Sequence, residues 1–114
     1  MQIKEAQSVV DQWIVNHGVR YFHPLTNMTI LMEEVGELSR WMAREYGEQS
    51  YRNSEDALRA KEAIQDEMAD VLWVLMCLAN QSGVDLEHAF AANMLKKTNR
   101  DIERHLDNPK LQSE

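Results

Sequence analysis

Apolar positions along this chain recur at three- and four-residue intervals, the period of helices laid against a core. In the first stretch Ile3, Ala6, Val10, Trp13, Ile14 and His17 keep that spacing, predicting a helix over about Gln2 to Asn16 that Gly18 ends. A connection from Val19 to Asn27 follows, in which Pro24 holds His23 out of helical geometry. A second helix is predicted from about Met28 to Tyr46, with Thr26 or Asn27 as its N-cap and Gly47 as its stop. The polar run Glu48 to Ser54 has no period and reads as a loop, closed by Asn53 or Ser54 as cap of a third helix over about Glu55 to Gln81. Gly83 ends that helix, and Asp85 caps a fourth reaching about His105 before Pro109. No strand-like alternation interrupts the series. The expected fold is an all-α four-helix bundle with antiparallel neighbours, residues 1–108 forming one domain and 109–114 a polar tail.

Composition sharpens this picture. At 114 residues the chain is one domain long, and its 44% hydrophobic content is enough to close a core. A domain of this size buries only about two-thirds of its unfolded surface, so a bundle completed by oligomerisation, as a homodimer or homotetramer, is expected. Twelve Lys and Arg against 19 Asp and Glu give a net charge of −7, which argues against a nucleic-acid polymer as partner and suits a cation. No apolar run reaches the roughly 20 residues of a membrane span and no basic, apolar leader opens the chain, so no membrane partner and a cytoplasmic location are expected. Cys77 is the only cysteine, which excludes an internal disulfide and a zinc–cysteine site.

The candidate chemistry emerges on a helical wheel. On the second helix Leu31, Val35, Leu38 and Met42 form an apolar stripe about 40–100° from Glu34, while Glu37 lies at about −60°. On the third, Ile64, Met68, Val71, Leu75 and Leu78 fill about 20–100° from Glu67, and Asp70 again lies at about −60°. Glu34-Val-Gly-Glu37-Leu thus repeats as Glu67-Met-Ala-Asp70-Val, with Gly36 and Ala69 as small residues where the helices have room to approach. If the stripes pack together, four carboxylates share one seam and need a cation to balance them. Oxygen-only ligands suit Mg²⁺, with Mn²⁺ as a substitute, and Mg²⁺ completes its shell with water and phosphate oxygens. Glu33, about 100° further round, suits a water-orienting base better than a ligand. Iron is disfavoured because no His follows a Glu by three residues. The residues alone leave this seam level with a solvated acidic face.

Glu33-Glu34-Val35-Gly36-Glu37-Leu38, followed by Glu67-Met68-Ala69-Asp70-Val71-Leu72, resembles the Glu-Glu-x-x-Glu and Glu-x-x-Asp signature of the MazG-like all-α nucleoside triphosphate pyrophosphohydrolases. The resemblance covers the second and third helices well and the fourth loosely. It implies that Glu34, Glu37, Glu67 and Asp70 hold Mg²⁺, and that a (d)NTP is cleaved between its α- and β-phosphates to a monophosphate and pyrophosphate, for housecleaning or pool control. The stretch Phe22-His23-Pro24-Leu25-Thr26-Asn27 is similar to the dCTP-pyrophosphatase-like branch, which implies His23 and Asn27 near the nucleotide. Asn93, Lys97 and Arg100 match a phosphate-contacting cluster on the last helix, with Lys96 or Asn99 as substitutes.

In such a mechanism either Glu33 or Glu37 accepts the proton of the attacking water. Trp41, at about −20° from Glu34, is expected to floor the pocket beside the phosphates. Trp73 suits a pocket wall or a subunit contact, and Trp13 a core anchor. Two other functions compete: a non-catalytic helical dimerisation module, and a metal-binding regulator that senses nucleotides without turnover.

Overall fold

The computed structural model describes residues 1–112, all of whose regular elements are helical. Helix α1 (Ile3–Trp13) runs into a single π-helical turn, Ile14–Gly18, so the helical path extends to Gly18 but widens over its last residues. Helix α2 (Pro24–Tyr46) begins at Pro24 and not at Met28. Proline at a first helical position has its φ already set and lacks only an N–H that would go unpaired there. The N-cap is therefore His23, extended at φ −53° and ψ 143°, whose Nδ1 accepts the Leu25 N–H at 3.1 Å. Thr26 and Asn27, expected as caps, lie inside the first turn.

Gly47 stops α2, and a Cβ there would fall 2.5 Å from the Ala43 carbonyl oxygen, so only glycine fits without a shift. Helix α3 (Ser54–Gln81) opens on Asn53, whose side chain accepts the Asp56 N–H at 2.9 Å. It closes through Gly83 at φ +67°, the conformation glycine supplies at helix ends. Helix α4 (Leu86–Leu106) is capped by Asp85, which accepts the His88 N–H at 3.2 Å. Residues Pro109–Gln112 form a short helix, α5, where a polar tail was expected; 113 and 114 lie outside the described residues.

Helices α2 and α3 make the principal contact as a hairpin, and α1 packs on α3. The core between α1 and α3 is Val10, Met76 and Cys77, with Ala6, Ile14, Tyr21, Trp73 and Leu86 against it. Burial pushes the Cys77 thiol above its ordinary pKa.

A polar latch fastens the same region. The buried Gln7 amide donates to Asn80 Oδ1 at 3.0 Å and to the Val84 carbonyl at 2.8 Å, and accepts the Leu86 N–H at 2.8 Å. One side chain thereby ties α1 to the end of α3 and the start of α4.

Helix α4 touches α1 near its own start and buries no residue. The radius of gyration is 18.1 Å, against the roughly 13 Å of a compact chain of this length. The apolar stripes are also half uncovered: Val35 is 39% exposed, Met68 49% and Leu75 40%, although all three were expected inside. They stand beside the exposed Met28, Met32 and Leu72, because the hairpin's other face has no partner within one chain.

Candidate active site

Glu34 on α2 meets Glu67 and Asp70 on α3. Each offers one carboxylate oxygen, and the three oxygens lie within 4.8 Å of one another. All three residues are partly buried. The matched offset of Glu34 and Glu67 from their apolar stripes produces the meeting, since pairing those stripes brings the adjoining carboxylates to one edge of the helix–helix contact.

The electrostatics is unfavourable without a counter-charge. Burial first, and then repulsion from Asp70 and Glu37, holds the Glu34 carboxyl above its ordinary pKa. Glu67 is raised by burial and then by Glu37 and Asp70. Asp70 is raised by burial and then by Asp66 and Glu37. Glu67 Oε2 is buried with no hydrogen-bond partner. The other members of the trio are carboxylates, which when ionised have no hydrogen to donate. An oxygen-only donor set with an orphaned buried oxygen fits a hard divalent cation.

Glu37, expected as a fourth ligand, stands exposed outside this trio but near enough to raise Glu67 and Asp70. Glu33 is exposed and adds a small repulsion to Glu34. The small residues between the carboxylates do not mark a close approach: a Cβ on Gly36 would meet nothing within 4 Å, and Ala69 is exposed.

Glu34 and Asp70 also line a cleft of about 600 Å³. Its aromatic wall is Trp13 and Trp73, packed edge to face with ring centroids 5.2 Å apart. Trp73 thus forms a wall, as expected, while Trp13 is 48% exposed and faces the cleft instead of anchoring the core. Asn27 lines the cleft although it is only 5% exposed. Its Nδ2 donates to Gln81 Oε1 at 2.9 Å, and Gln81 Nε2 donates to the Phe22 carbonyl at 2.6 Å, so the orientation of the Asn27 amide is held from behind.

The other expected nucleotide contacts lie elsewhere. His23 is absent from the cleft lining, its Nδ1 engaged as the α2 cap. Trp41 is 7% exposed and lines a separate pocket of about 260 Å³ with Arg40, Arg44 and Arg52. It shares Glu34's angular sector but sits seven residues further on, about 10 Å along the axis, where the wheel records no height. Asn93, Lys97 and Arg100 are exposed on α4, away from this cleft, because α4 leaves the bundle. Arg100 is moreover paired with Asp101, at 2.9 and 3.0 Å.

Sequence reasoning missed Arg20, Tyr21, Phe22 and Ile30, all of which line the cleft. The aromatic pair just before Pro24 was the available signal. Tyr21 is fixed by donating to Asp11 Oδ1 at 2.6 Å and accepting from Asn80 Nδ2 at 3.0 Å; its pKa is pushed up to about 12, first by burial and then by the Asp11 bond.

Comparison with known proteins shows the family and the fold. Residues 22–105 match the MazG nucleotide pyrophosphohydrolase domain. The chain is 39% identical over 102 residues to the uncharacterized protein YpjD of Bacillus subtilis, covering 90% of this chain and 88% of that protein. Its fold is similar to the crystal structure of a Bacillus-conserved MazG protein, a nucleotide pyrophosphohydrolase, with TM-score 0.72 and 36% identity over 90% of this chain and 96% of the other. It is similar also to the structure of the putative pyrophosphatase YpjD, with TM-score 0.74 and 37% identity over 89% and 97%.

Proposed function

This chain belongs to the MazG nucleotide pyrophosphohydrolase family, and on that premise we propose that it hydrolyses a nucleoside or deoxynucleoside triphosphate between the α- and β-phosphates, releasing a monophosphate and pyrophosphate. The observation that carries the proposal is the trio Glu34, Glu67 and Asp70, its oxygens within 4.8 Å, two of whose members, Glu34 and Asp70, line a cleft with an aromatic wall.

In this reading Glu34, Glu67 and Asp70 hold Mg²⁺ or Mn²⁺, with Glu37 joining from the rim. The ion, when bound, polarises the phosphate oxygens, makes water a better nucleophile and neutralises charge on the leaving pyrophosphate. The chain does the rest. Glu37 or Glu33, both exposed at the seam, accepts the proton of the attacking water. Trp13 and Trp73 supply a stacking wall for the base and keep water from that face. Asn27, fixed through Gln81, offers its remaining amide hydrogen and oxygen to the base edge. A dCTP preference rests on the Phe22–Asn27 stretch alone, of which Phe22 and Asn27 line the cleft.

We read residues 1–108 as the catalytic domain and the working form as a homodimer or homotetramer, which would cover the bare hairpin face and give α4 something to pack on. Nucleotide-pool housecleaning is the corresponding role.

Following pyrophosphate release from each dNTP and NTP with Mg²⁺, for wild type and Glu34→Gln, tests the proposal. Release by wild type and its loss in Glu34→Gln are expected. Binding without turnover would favour a nucleotide sensor, and neither would favour a helical interaction module. Release that survives the substitution would remove Glu34 from the ligand set.

A further inference from the structure

The backbone takes an unusual path where it enters the cleft. After the π turn Ile14–Gly18, Val19 adopts φ +72° and ψ −58°. The Arg20 N–H donates to the Gly18 carbonyl at 2.8 Å, closing a γ-turn of the rarer, strained hand. A β-branched residue with positive φ is an outlier, and such conformations persist only where the surroundings force them. Glycine, which would adopt it freely, stands one position earlier in the π turn.

The turn delivers Arg20, Tyr21 and Phe22 to the cleft wall. Among the residues lining that cleft Arg20 is the one cation, in the same cavity as Glu34 and Asp70. Its Nη1 donates to the Tyr21 carbonyl at 2.9 Å, and among the described residues it makes no ion pair. The guanidinium keeps other N–H groups uncommitted, in a fork suited to phosphate oxygens. A triphosphate carries more negative charge than one divalent ion removes and must also approach the acidic trio, so a further positive group in the same cavity favours its binding. The expected group on α4 lies away from this cleft.

We propose that Arg20 is the phosphate-contacting cation of this site and that the strained turn at Val19 presents it. The proposal rests on the nucleotide-hydrolase reading above, and it names a residue that reading does not use.

Binding is measured through tryptophan fluorescence, since Trp13 and Trp73 line the cleft. The probes are α,β-methylene analogues of the four dNTPs with Mg²⁺, compared with the matching nucleosides. Arg20→Ala is expected to weaken triphosphate-analogue binding by about 10- to 100-fold, the cost of a charge-assisted pair, while nucleoside binding stays within about twofold. Arg20→Lys should restore part of the loss. Val19→Gly, which keeps the turn without its strain, should raise the melting temperature by a few degrees and leave analogue binding within about twofold, whereas Val19→Pro, whose ring holds φ near about −65°, abolishes the turn and should weaken the analogue.

Equal losses for analogue and nucleoside in Arg20→Ala, or no loss, overturn the assignment of Arg20 while leaving wild-type hydrolysis untouched. A Val19→Pro protein that binds the analogue normally overturns the role of the turn. A wild-type protein that binds no analogue overturns this proposal and the hydrolase reading together.

Discussion

Glu67 Oε2 is buried without a partner because its polar neighbours, Glu34 and Asp70, are acceptors like itself. Converting Glu67 to Gln supplies an N–H that either neighbour accepts. The metal-free Glu67→Gln protein is therefore expected to be more stable than wild type by on the order of 1 kcal/mol in urea denaturation, yet at least about 100-fold slower in pyrophosphate release. Stability bought at the cost of activity would mark the trio as functional. The pH dependence follows from the raised pKa values of Glu34, Glu67 and Asp70. Between the ordinary carboxylate range, about 4, and the raised values, the folded chain binds protons that the unfolded chain has released. The trio's contribution to metal-free stability is thus greatest below that window and is lost as pH rises through the raised values. Metal binding runs the opposite way, because protons compete for the same oxygens. Melting curves in EDTA and Mg²⁺ titrations across pH 4–8, with Glu34→Gln as reference, should show the two opposed slopes.

At the scale of elements, Gln7 is the residue on which α1, α3 and α4 converge. Gln7→Leu keeps the bulk but strands the Leu86 N–H and the Val84 carbonyl, so a loss of about 2–3 kcal/mol is expected in chemical denaturation. Asn53→Ala removes only the α3 cap and should cost about 1 kcal/mol by the same measurement. The helices and most of their stops were legible because Gly47, Gly83, Asn53 and Asp85 are local signals, read without knowing what lies across the bundle. Pro24 was readable too, but its more informative meaning was as a first helical residue, which makes His23 the cap and draws Asn27 into the wall. The meeting of Glu34, Glu67 and Asp70 was legible because two helices repeated one offset. Trp41 lies outside the cleft of Glu34 because angle alone does not fix height along a helix, and Arg20 escaped notice because a γ-turn has no periodicity to read.

For the molecule as a whole, the exposed row of Met28, Met32, Val35, Met68, Leu72 and Leu75 is more apolar surface than a lone domain usually shows to water. A homodimer or tetramer is the expected species in sedimentation equilibrium, and Leu72→Glu should shift it toward monomer by placing a charge in that row. Chelation by EDTA should abolish turnover yet lower the melting temperature by only a few degrees, since a weakly held ion contributes about 1 kcal/mol at concentrations a few times its dissociation constant. Helix α4, which beyond Leu86 packs no apolar side chain against the core of one chain, carries the remaining consequence. If a neighbour must cover it, folding obeys mass action: dilution alone would loosen the protein, and its thermal midpoint would climb with concentration.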